Sequence, residues 1–552
     1  MSDTREFRCY GPPGTGKTTW LGEQARRAGE KYGPSGVIIA SLTRAAAAEI
    51  GGRNTSIPEK NVGTLHSHAF HALGRPAIAE SKEGLAEWND HVGSPRDVLG
   101  SSRVFDPENP PVDGMMSTTD ADVLLAEMGV NRQRMVPFDM WRASVRKFAI
   151  EWQEFKTRTN RLDFTDLIEH AIDTCPKHHL NPSAFFLDEA QDMSRLEMKL
   201  ARQWGSHCEV FVIVGDPWQN LYQWRGSDPE AFTAGEVSGV LTLDQSYRVP
   251  AAVQEYAVDW IQRIVKDDDV FPEYKPRDEP GEVAVLSYSW NFPDPMIREF
   301  EQEIEKGRTV MVLASCSYML NPLVALLRER GIPFWNPYRM IHGGWNPLRY
   351  SDRVLSFLRP SPTVWGDDAR VWSLDDLEKW TDVLSAKDTM VRGAKKMIGA
   401  RIAEIEDGPR FNHDLIHEPL DISSIFAMFK QDAHMPIFDM DLDWLVENTR
   451  ASRRRVIEYP VAVAKRYGVE ALKQEAKVII GTIHSVKGGQ SDTVFVFPDL
   501  SRQGMEALPH PMVRAATQRQ FYVAFTRARQ KLVLMSPQGS DTVQFPRPKG
   551  RG

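Results

Sequence analysis

The sequence predicts an α/β protein with two similar halves, each built on a parallel sheet packed against helices. Short apolar runs that suit buried strands alternate with helical patterns in the first half of the chain. One run leads into a glycine-rich loop that opens a helix, and doubly wound sheets bind ligands at this end of their strands. A second series of apolar runs begins after residue 280 and contains no such loop.

The predicted strands are short and apolar throughout. In the first half they lie in residues 7–10, 36–41, 183–188, 209–216 and 239–243. In the second half they lie in residues 282–288, 309–315, 477–484, 493–499 and 531–536. Runs of this length and composition, separated by helical patterns, indicate a parallel sheet in each half.

Length and composition exclude several classes of protein. The chain has 552 residues, enough for several domains of about 150 residues. Its formal net charge of −8 argues against a uniformly basic nucleic-acid-binding protein, though not against a basic groove in an acidic body. Four scattered cysteines do not suit a disulfide framework or a four-cysteine metal centre. Without a membrane-span-like run or a signal-peptide core, we expect a cytoplasmic protein that does not bind membranes.

A phosphate-binding loop follows the first predicted strand. Gly11, Pro12, Pro13, Gly14, Thr15, Gly16, Lys17 and Thr18 match the pattern GxxxxGK[ST] between a strand and a helix. Backbone N–H groups of such a loop surround phosphates, and the helix N-terminus adds partial positive charge. Lys17 is expected to reach the β- and γ-phosphates and Thr18 to bind Mg²⁺, which predicts ATP and Mg²⁺ as cofactors.

Two acids end the predicted strand in "SAFFLDEAQD". A phosphate-loop enzyme needs one carboxylate for Mg²⁺ and, for hydrolysis, a second that positions the attacking water. Asp188 suits the metal and Glu189 suits the water. A solvated acidic strand end is the alternative interpretation of this segment alone, but the phosphate loop makes it improbable.

The loop "VGDPWQNLYQWRGS" combines two kinds of residue. Gln219 lies where it could sense the γ-phosphate, close to the end of a predicted strand. Further along, Tyr222, Trp224 and Arg225 suit single-stranded nucleic acid, because bases stack on rings and cations contact the backbone. A single loop that touches nucleotide and nucleic acid predicts a motor. The alternative for Trp224 is an ordinary core residue.

The second half has candidate arginines for the same nucleotide site. Arg248 in "LDQSYRVP" and Arg527 in "FYVAFTRARQK" could neutralise charge in the transition state from across a cleft. Surface salt bridges, which contribute little to stability, are the alternative.

In chain order the segments form a series. It runs "GPPGTGKT", "ASLTRAAAAEI", "GTLHSHAF", "LDFTDLI", "FLDEAQD", "VGDPWQNLYQWRGS", "LDQSYR", "GTIHSVKGG" and "FYVAFTRARQKLVL". The series resembles the UvrD/Rep-like DNA helicases of superfamily 1, from about residue 5 to residue 538. The resemblance implies ATP hydrolysis, 3′→5′ movement on single-stranded DNA, and unwinding at single-strand/duplex junctions. A replication or repair protein would be a fitting partner.

The resemblance also implies a domain organisation and residue roles. Two RecA-like motor domains are expected at 1–70 with 181–247 and at 248–360 with 475–538, mainly helical insertions at 71–180 and 361–474, and a flexible basic tail at 539–552. Tyr247 would stack on the ATP base, and Gln219, Arg248 and Arg527 would contact the γ-phosphate. Trp224 would be a base-stacking wedge and Arg225 a DNA-backbone contact. The remaining expected DNA contacts are Arg44, Thr64, His66, Tyr222, Thr482 and His484.

The chain departs from the family pattern around the nucleotide base. Because ten residues precede Gly11, we expect the family's adenine-reading segment upstream of the phosphate loop to be missing or displaced. Thr19 stands where many members have arginine, and Gln490 stands where a glutamate usually meets the ribose. Base selectivity is therefore open, and other nucleoside triphosphates could serve.

Three alternatives to a DNA helicase stay open. The small second insertion suits a translocase that displaces proteins without separating strands. A non-motor switch that binds nucleotide is a more remote alternative. An RNA substrate is a further one, because the preference for DNA comes from the resemblance alone.

Overall fold

The protein is described by a computed structural model over residues 6–42, 56–93, 97–100, 119–266, 269–339, 344–360 and 369–548. It forms two compact units. Unit 1 comprises Met1–Ser289, Met311–Met319 and Gly481–Gly552, and unit 2 comprises Trp290–Val310 and Leu320–Ile480. This division does not resolve the four predicted subdomains, whose boundaries stay a prediction.

The strands form two six-stranded sheets and one two-stranded sheet. In chain order they are β1 Glu6–Tyr10, β2 Val37–Ser41, β3 Val62–Thr64, β4 Ala184–Leu187, β5 Val210–Gly215, β6 Gly239–Thr242, β7 Gln245–Pro250, β8 Lys275–Arg277, β9 Glu282–Leu286, β10 Val310–Ala314, β11 Phe334–Trp335, β12 Val478–Thr482, β13 Ser491–Val496 and β14 Ala528–Met535. The first sheet has the order β3-β2-β4-β5-β1-β6 and the second the order β11-β12-β10-β13-β14-β9, while β7 pairs with β8.

The predicted fold class is confirmed. Neighbouring strands of the first sheet run parallel, as do β11 with β12, β13 with β14, and β14 with β9. Each predicted strand is present, and its ends lie within a few residues of the predicted ends. Strands β3, β7, β8 and β11 were not predicted. They are short or polar, as "QSYRVP" and "KPR" show, so no apolar run marks them.

The helices connect the strands and make up the insertions. In chain order they are α1 Lys17–Tyr32, α2 Leu65–Ala72, α3 Lys82–His91, α4 Asp120–Gln133, α5 Ala143–Thr159, α6 Phe164–Thr174, α7 Arg195–Gly205, α8 Pro229–Thr233, α9 Ala251–Ile261, α10 Met296–Glu305, α11 Asn321–Glu329, α12 Ser351–Phe357, α13 Leu374–Thr381, α14 Ala386–Thr389, α15 Ala394–Glu406, α16 Ile422–Phe426, α17 His434–Phe438, α18 Leu442–Glu447, α19 Arg454–Tyr467, α20 Arg502–Ala507 and α21 Pro511–Phe525. Within the described chain, no helix is both long and apolar enough to cross a bilayer.

Both insertions are mainly helical, as predicted. Helices α3 to α6 lie in the first insertion, and α3, α4 and α5 pack around Trp88, Trp152 and Phe155. Helices α13 to α19 lie in the second, where Trp372 and Trp380 are fully buried. Large buried aromatic side chains supply much of the apolar area that small helical domains need.

The first sheet brings the predicted nucleotide residues to one edge. Strands β2 and β4 are buried along their whole length, and Leu21 and Ala25 of α1 pack into the same core. The register pairs Tyr10 with Gly215 and Leu187 with Ile213. The carboxyl ends of β1, β4 and β5 therefore meet, and the segments that follow them lie side by side.

Candidate functional site

The phosphate loop joins β1 to α1 and has the backbone that its glycines predict. Gly14 and Gly16 have φ of +74° and +80°, in the left-handed region that glycine adopts without strain. A Cβ atom at Gly11 would lie 2.0 Å from Lys17 Cγ, so a side chain there would displace the lysine. Lys17 Nζ donates a hydrogen bond to Gly11 O at 2.6 Å. The loop is therefore curled with its lysine folded inward.

Helix α1 begins as an anion-binding helix would. Gly16 is its N-cap and provides no side-chain cap, and the first turn contains no acidic residue. Thr15 Oγ1 donates to Pro12 O at 2.8 Å and braces the loop, while Thr18 is partly buried and Thr19 is exposed. The backbone N–H groups and helix dipole at this end favour phosphate, and the residues fit a triphosphate.

The two predicted acids follow β4 directly. Asp188 is 1% exposed, and its N–H extends the ladder by donating to Ala40 O at 2.9 Å. Glu189 has φ of +52°, which turns the chain sharply after the strand. Thr18 and Asp188 provide the oxygen ligands that Mg²⁺ prefers, so this end of the sheet also fits the metal.

A lysine that the sequence analysis missed lies at these acids. Lys487 Nζ is 3.4 Å from Glu189 Oε2 and forms an ion pair with Asp192. It also lies 5.3 Å from the ring centroid of Tyr222. Burial raises the pKa of Glu189, but Lys487 and then Lys17 outweigh it, lowering that pKa to about 2. Burial of Asp192 outweighs its attraction to Lys487 and raises its pKa to about 6.

The loop after β5 is held by buried polar contacts at its nucleotide end. Gln219 Nε2 donates to Asp216 Oδ2 at 2.7 Å, and Arg527 Nη2 donates to Gln219 Oε1 at 3.1 Å. Both Gln219 and Arg527 are buried. Burial raises the pKa of Asp216, although Lys17 opposes this. The structure thus brings together Gln219 and Arg527, both of which were expected to contact the γ-phosphate.

The other end of the loop corrects part of the prediction. Trp224 is 36% exposed, so a base could reach its indole ring. Tyr222 and Arg225, expected to be exposed, are only 3% and 5% exposed. Arg225 Nη2 donates to the buried Glu197 Oε1 at 2.7 Å, so its charge is neutralised inside the protein. The flanking polar residues of "QWRG" suggested an open turn, but Gly226 packs against Val130 and Gln133 of α4, and Arg225 is paired with Glu197 of α7.

Two threonine–histidine segments adopt the same local geometry. Ser67 N–H donates to Thr64 Oγ1 at 3.1 Å, and Ser485 N–H donates to Thr482 Oγ1 at 3.3 Å. In both, the serine hydroxyl donates to the threonine carbonyl at 2.8 Å. The related sequences "TLHS" and "TIHS" therefore form the same pair of threonine–serine hydrogen bonds before a helical segment.

The histidine of the first segment lies beside α7, and that of the second lies beside the loop after β5. His66 Nδ1 is 3.5 Å from Glu197 Oε1, and burial lowers the pKa of His66. His484 Nε2 lies 3.2 Å from Leu221 O, next to Tyr222. Phe164, 38% exposed, has its ring centroid 6.5 Å from that of His66. The motif "LDFTDLI" contains Phe164, but the sequence analysis gave the residue no role.

Strand β7 lies against the phosphate loop. Tyr247 N–H donates to Gly14 O at 2.8 Å, and the Tyr247 side chain is 70% exposed. Ser246 Oγ donates to Pro13 O at 2.8 Å. Arg248 Nε donates to Gln490 Oε1 at 3.0 Å. Tyr247, Arg248 and Gln490 therefore lie at the predicted nucleotide pocket, whereas Arg44 lies outside the described residues.

The chain is similar to known proteins in two segments. Residues 3–225 match the family described as an AAA domain, and residues 477–535 match the UvrD-like helicase C-terminal domain. These segments hold the phosphate loop, both acids, Lys487 and Arg527.

Curated relatives are distant in sequence. The "ATP-dependent DNA helicase PcrA" of Staphylococcus aureus (strain Mu50 / ATCC 700699) is 22% identical over 473 residues, which is 72% of this chain and 61% of the relative. The "Probable DNA helicase II homolog" of Mycoplasma pneumoniae is 25% identical over 241 residues, 40% of this chain and 34% of the relative. The alignments thus span less than two thirds of these relatives. The two family matches fall on segments that carry the motif series, and both relatives are named as DNA helicases, so the predicted resemblance to the UvrD/Rep-like helicases of superfamily 1 is confirmed.

Proposed function

We propose that the protein is an ATP-dependent DNA helicase. It would hydrolyse ATP with Mg²⁺, move 3′→5′ along single-stranded DNA and separate strands at single-strand/duplex junctions. The observation that carries the proposal is the loop after β5. One end of this loop holds Gln219 against Asp216 and Arg527, and the other end exposes Trp224.

The nucleotide end supports phosphoryl transfer to water. The loop Gly11–Thr18 and the α1 N-terminus would hold the triphosphate, with Tyr247 stacking on the base and Gln490 near the sugar. Thr18 and Asp188 would hold Mg²⁺, which would neutralise charge on the phosphates. Glu189, kept ionised by Lys487 and Lys17, would orient the attacking water and accept its proton.

Coupling to DNA would pass through Gln219 and Lys487. Arg527 and Arg248 would stabilise charge on the γ-phosphate, and Gln219 would transmit the presence of that phosphate to Tyr222 and Trp224 along one short loop. Lys487 contacts the acids and also the Tyr222 ring, so movement of the aromatic end would alter the electrostatics of Glu189.

The DNA end supports base stacking more than backbone contact. Trp224 and Phe164 present exposed rings, and each stacked base is worth about 1–3 kcal/mol. Thr64, His66, Thr482 and His484 would line the same track. The charge of Arg225 is already paired with Glu197. Arg225 would therefore act indirectly, by holding Glu197 where it contacts His66. Arg44 remains a predicted DNA contact.

ATPase activity measured with and without single-stranded DNA tests the proposal. We expect DNA to stimulate turnover and forks with a 3′ tail to unwind in preference to forks with a 5′ tail. Displacement of a bound protein without unwinding would instead identify a translocase. Equal stimulation by RNA would remove the preference for DNA. Absence of stimulation by either nucleic acid would contradict a motor and favour the nucleotide-binding switch.

A further inference from the structure

A groove of about 420 Å³ lies on the first sheet, beside helix α1. Its floor is formed by strands β1, β5 and β6, and one wall is formed by α1. We call it the α1–β6 groove, with Phe7, Trp20, Tyr32, Val212 and Leu241 as its main apolar lining. Of the described residues that line it, none belongs to the phosphate loop.

The groove is a strip of sheet face that the described residues leave uncovered. Among its strand residues, Phe7 and Cys9 of β1 and Gly239 and Leu241 of β6 occupy alternate positions, so these four share one face of the sheet. Helix α1 packs over β2, β4 and β5 on this sheet. Phe7 and Leu241, on the neighbouring β1 and β6, are each 43% exposed. Single exposed apolar residues are ordinary on protein surfaces, whereas contiguous apolar patches mark interaction sites and binding grooves.

The strip has the dimensions of one helix. Two neighbouring strands span about 10 Å, which matches the diameter of a helix with its side chains. The five residues of β1 extend for about 17 Å, which is the length of roughly 11 helical residues, or three turns. A helix laid beside α1 would therefore cover Phe7 and Leu241, and its apolar stripe would face the floor of the groove.

The charge of the lining indicates what that helix would contain. Its charged members are Arg8, Arg27 and Lys31, and the described lining contains no carboxylate. Arg8 is buried and bonded to Glu6, which leaves Arg27 and Lys31 on the α1 wall. Arg27 also contacts Glu23 at 3.0 Å, but that pair is exposed and easily exchanged. The wall therefore favours acidic residues on the docked segment.

We propose that the α1–β6 groove docks an acidic amphipathic helix of a protein partner. Leucine or aromatic side chains spaced at i, i+3, i+4 and i+7 would enter between Trp20 and Leu241. Glutamates on the flank of that helix would meet Arg27 and Lys31. The inference does not depend on the proposed function, because the groove lies outside the nucleotide and DNA residues.

The test uses a fluorescein-labelled peptide as the probe. The peptide has about 14 residues, with leucines at i, i+3, i+4 and i+7 and glutamates at most other positions, and its binding to the full chain is followed by fluorescence anisotropy. We expect saturable binding. A peptide of the same composition with its leucines spread around the helix, and a peptide with lysines in place of the glutamates, should each bind at least tenfold more weakly.

Two exposed strand residues provide a matched pair of variants. Leu241 lines the groove and is 43% exposed, whereas Val285 of β9 is 56% exposed and is not among the described residues that line the groove. Leu241→Glu should weaken peptide binding at least tenfold, and Val285→Glu should leave it unchanged. The double variant with Arg27→Glu and Lys31→Glu should bind the acidic peptide more weakly and the lysine peptide more tightly. Thermal unfolding checks that every variant folds.

Several results would overturn the proposal. They are absence of saturable binding, equal binding of the control peptides, or equal effects of Leu241→Glu and Val285→Glu. Concentration-dependent dimerisation that Leu241→Glu abolishes would show instead that a second copy of the chain occupies the groove. None of these results depends on ATPase activity, so failure here is distinct from failure of the proposed helicase function.

Discussion

Lys487→Met is the sharpest test of the electrostatics at the acids. The Lys487 side chain is 12% exposed, and its partners Asp192 and Glu189 are 0% and 24% exposed. Removing one partner of a buried ion pair costs about 3–5 kcal/mol, because the remaining charge stays buried without compensation. Since Glu189 retains some solvent and Asp192 has a raised pKa, we expect the lower end, about 3 kcal/mol. That loss is a substantial part of the stability of a typical domain.

The same variant should change the pH dependence of hydrolysis. Lys487 is the largest influence that lowers the pKa of Glu189, so burial would dominate in Lys487→Met and raise that pKa. A base with a higher pKa becomes protonated at higher pH. The acid limb of DNA-stimulated kcat should therefore move to higher pH, and activity at about pH 5 should fall more than activity at about pH 8.

An exposed lysine provides the control. Lys275 pairs with Asp244, and their side chains are 72% and 59% exposed. Lys275→Met should change the free energy of unfolding by less than about 1 kcal/mol and leave the pH profile in place. Urea unfolding followed by tryptophan fluorescence measures the stability of both variants. The reasoning is refuted if Lys487→Met unfolds at the wild-type urea concentration and keeps the wild-type acid limb.

Three further predictions concern hydrolysis, DNA and acid stability. Glu189→Gln should lower kcat by about 10²–10⁴-fold while nucleotide binding, measured by equilibrium titration, persists; unimpaired turnover would exclude Glu189 as the base. Trp224→Ala should weaken the binding of single-stranded DNA by about 1–3 kcal/mol and abolish the stimulation of ATPase activity by DNA. If DNA still stimulates the ATPase normally, Trp224 does not stack on bases. His68 is buried, which lowers its pKa to about 4. The unfolded chain takes up this proton near pH 6.5 and the folded chain only near pH 4, so stability should fall by about 3 kcal/mol as pH drops through that window. The drop should shrink in His68→Gln, whose amide can still bond to Ile39 O; an undiminished drop in urea unfolding would assign it to other groups.

Most of the fold was predictable because buried parallel strands leave a strong pattern. The apolar runs at 183–188 and 209–216 became β4 and β5, and the phosphate loop lies between a strand and a helix as expected. The four missed strands have no such pattern. Strand β7 shows why. Its sequence is polar, yet its backbone donates a hydrogen bond to Gly14 O and so places Tyr247 and Arg248 at the phosphate loop.

The candidate site was predicted less completely than the fold. Gln219 and Arg527 were identified from their segments, and a hydrogen bond joins them. Lys487 was overlooked although it lies in "GTIHSVKGG", since nothing in that segment indicates that it meets Glu189. The burial of Arg225 depends on Glu197, a residue of α7 whose sequence neighbourhood resembles that of any capped surface helix.

Local sequence determined which chemical groups this protein carries and which strand or helix presents each one. Glycine conformations, the apolar period of strands and the spacing of the motifs are properties of a few neighbouring residues, so they can be read without a structure. Tertiary structure alone decided which charges neutralise one another and which aromatic rings reach solvent. Those outcomes depend on contacts between residues as far apart as Glu189 and Lys487, and burial there changes the strength of every electrostatic interaction.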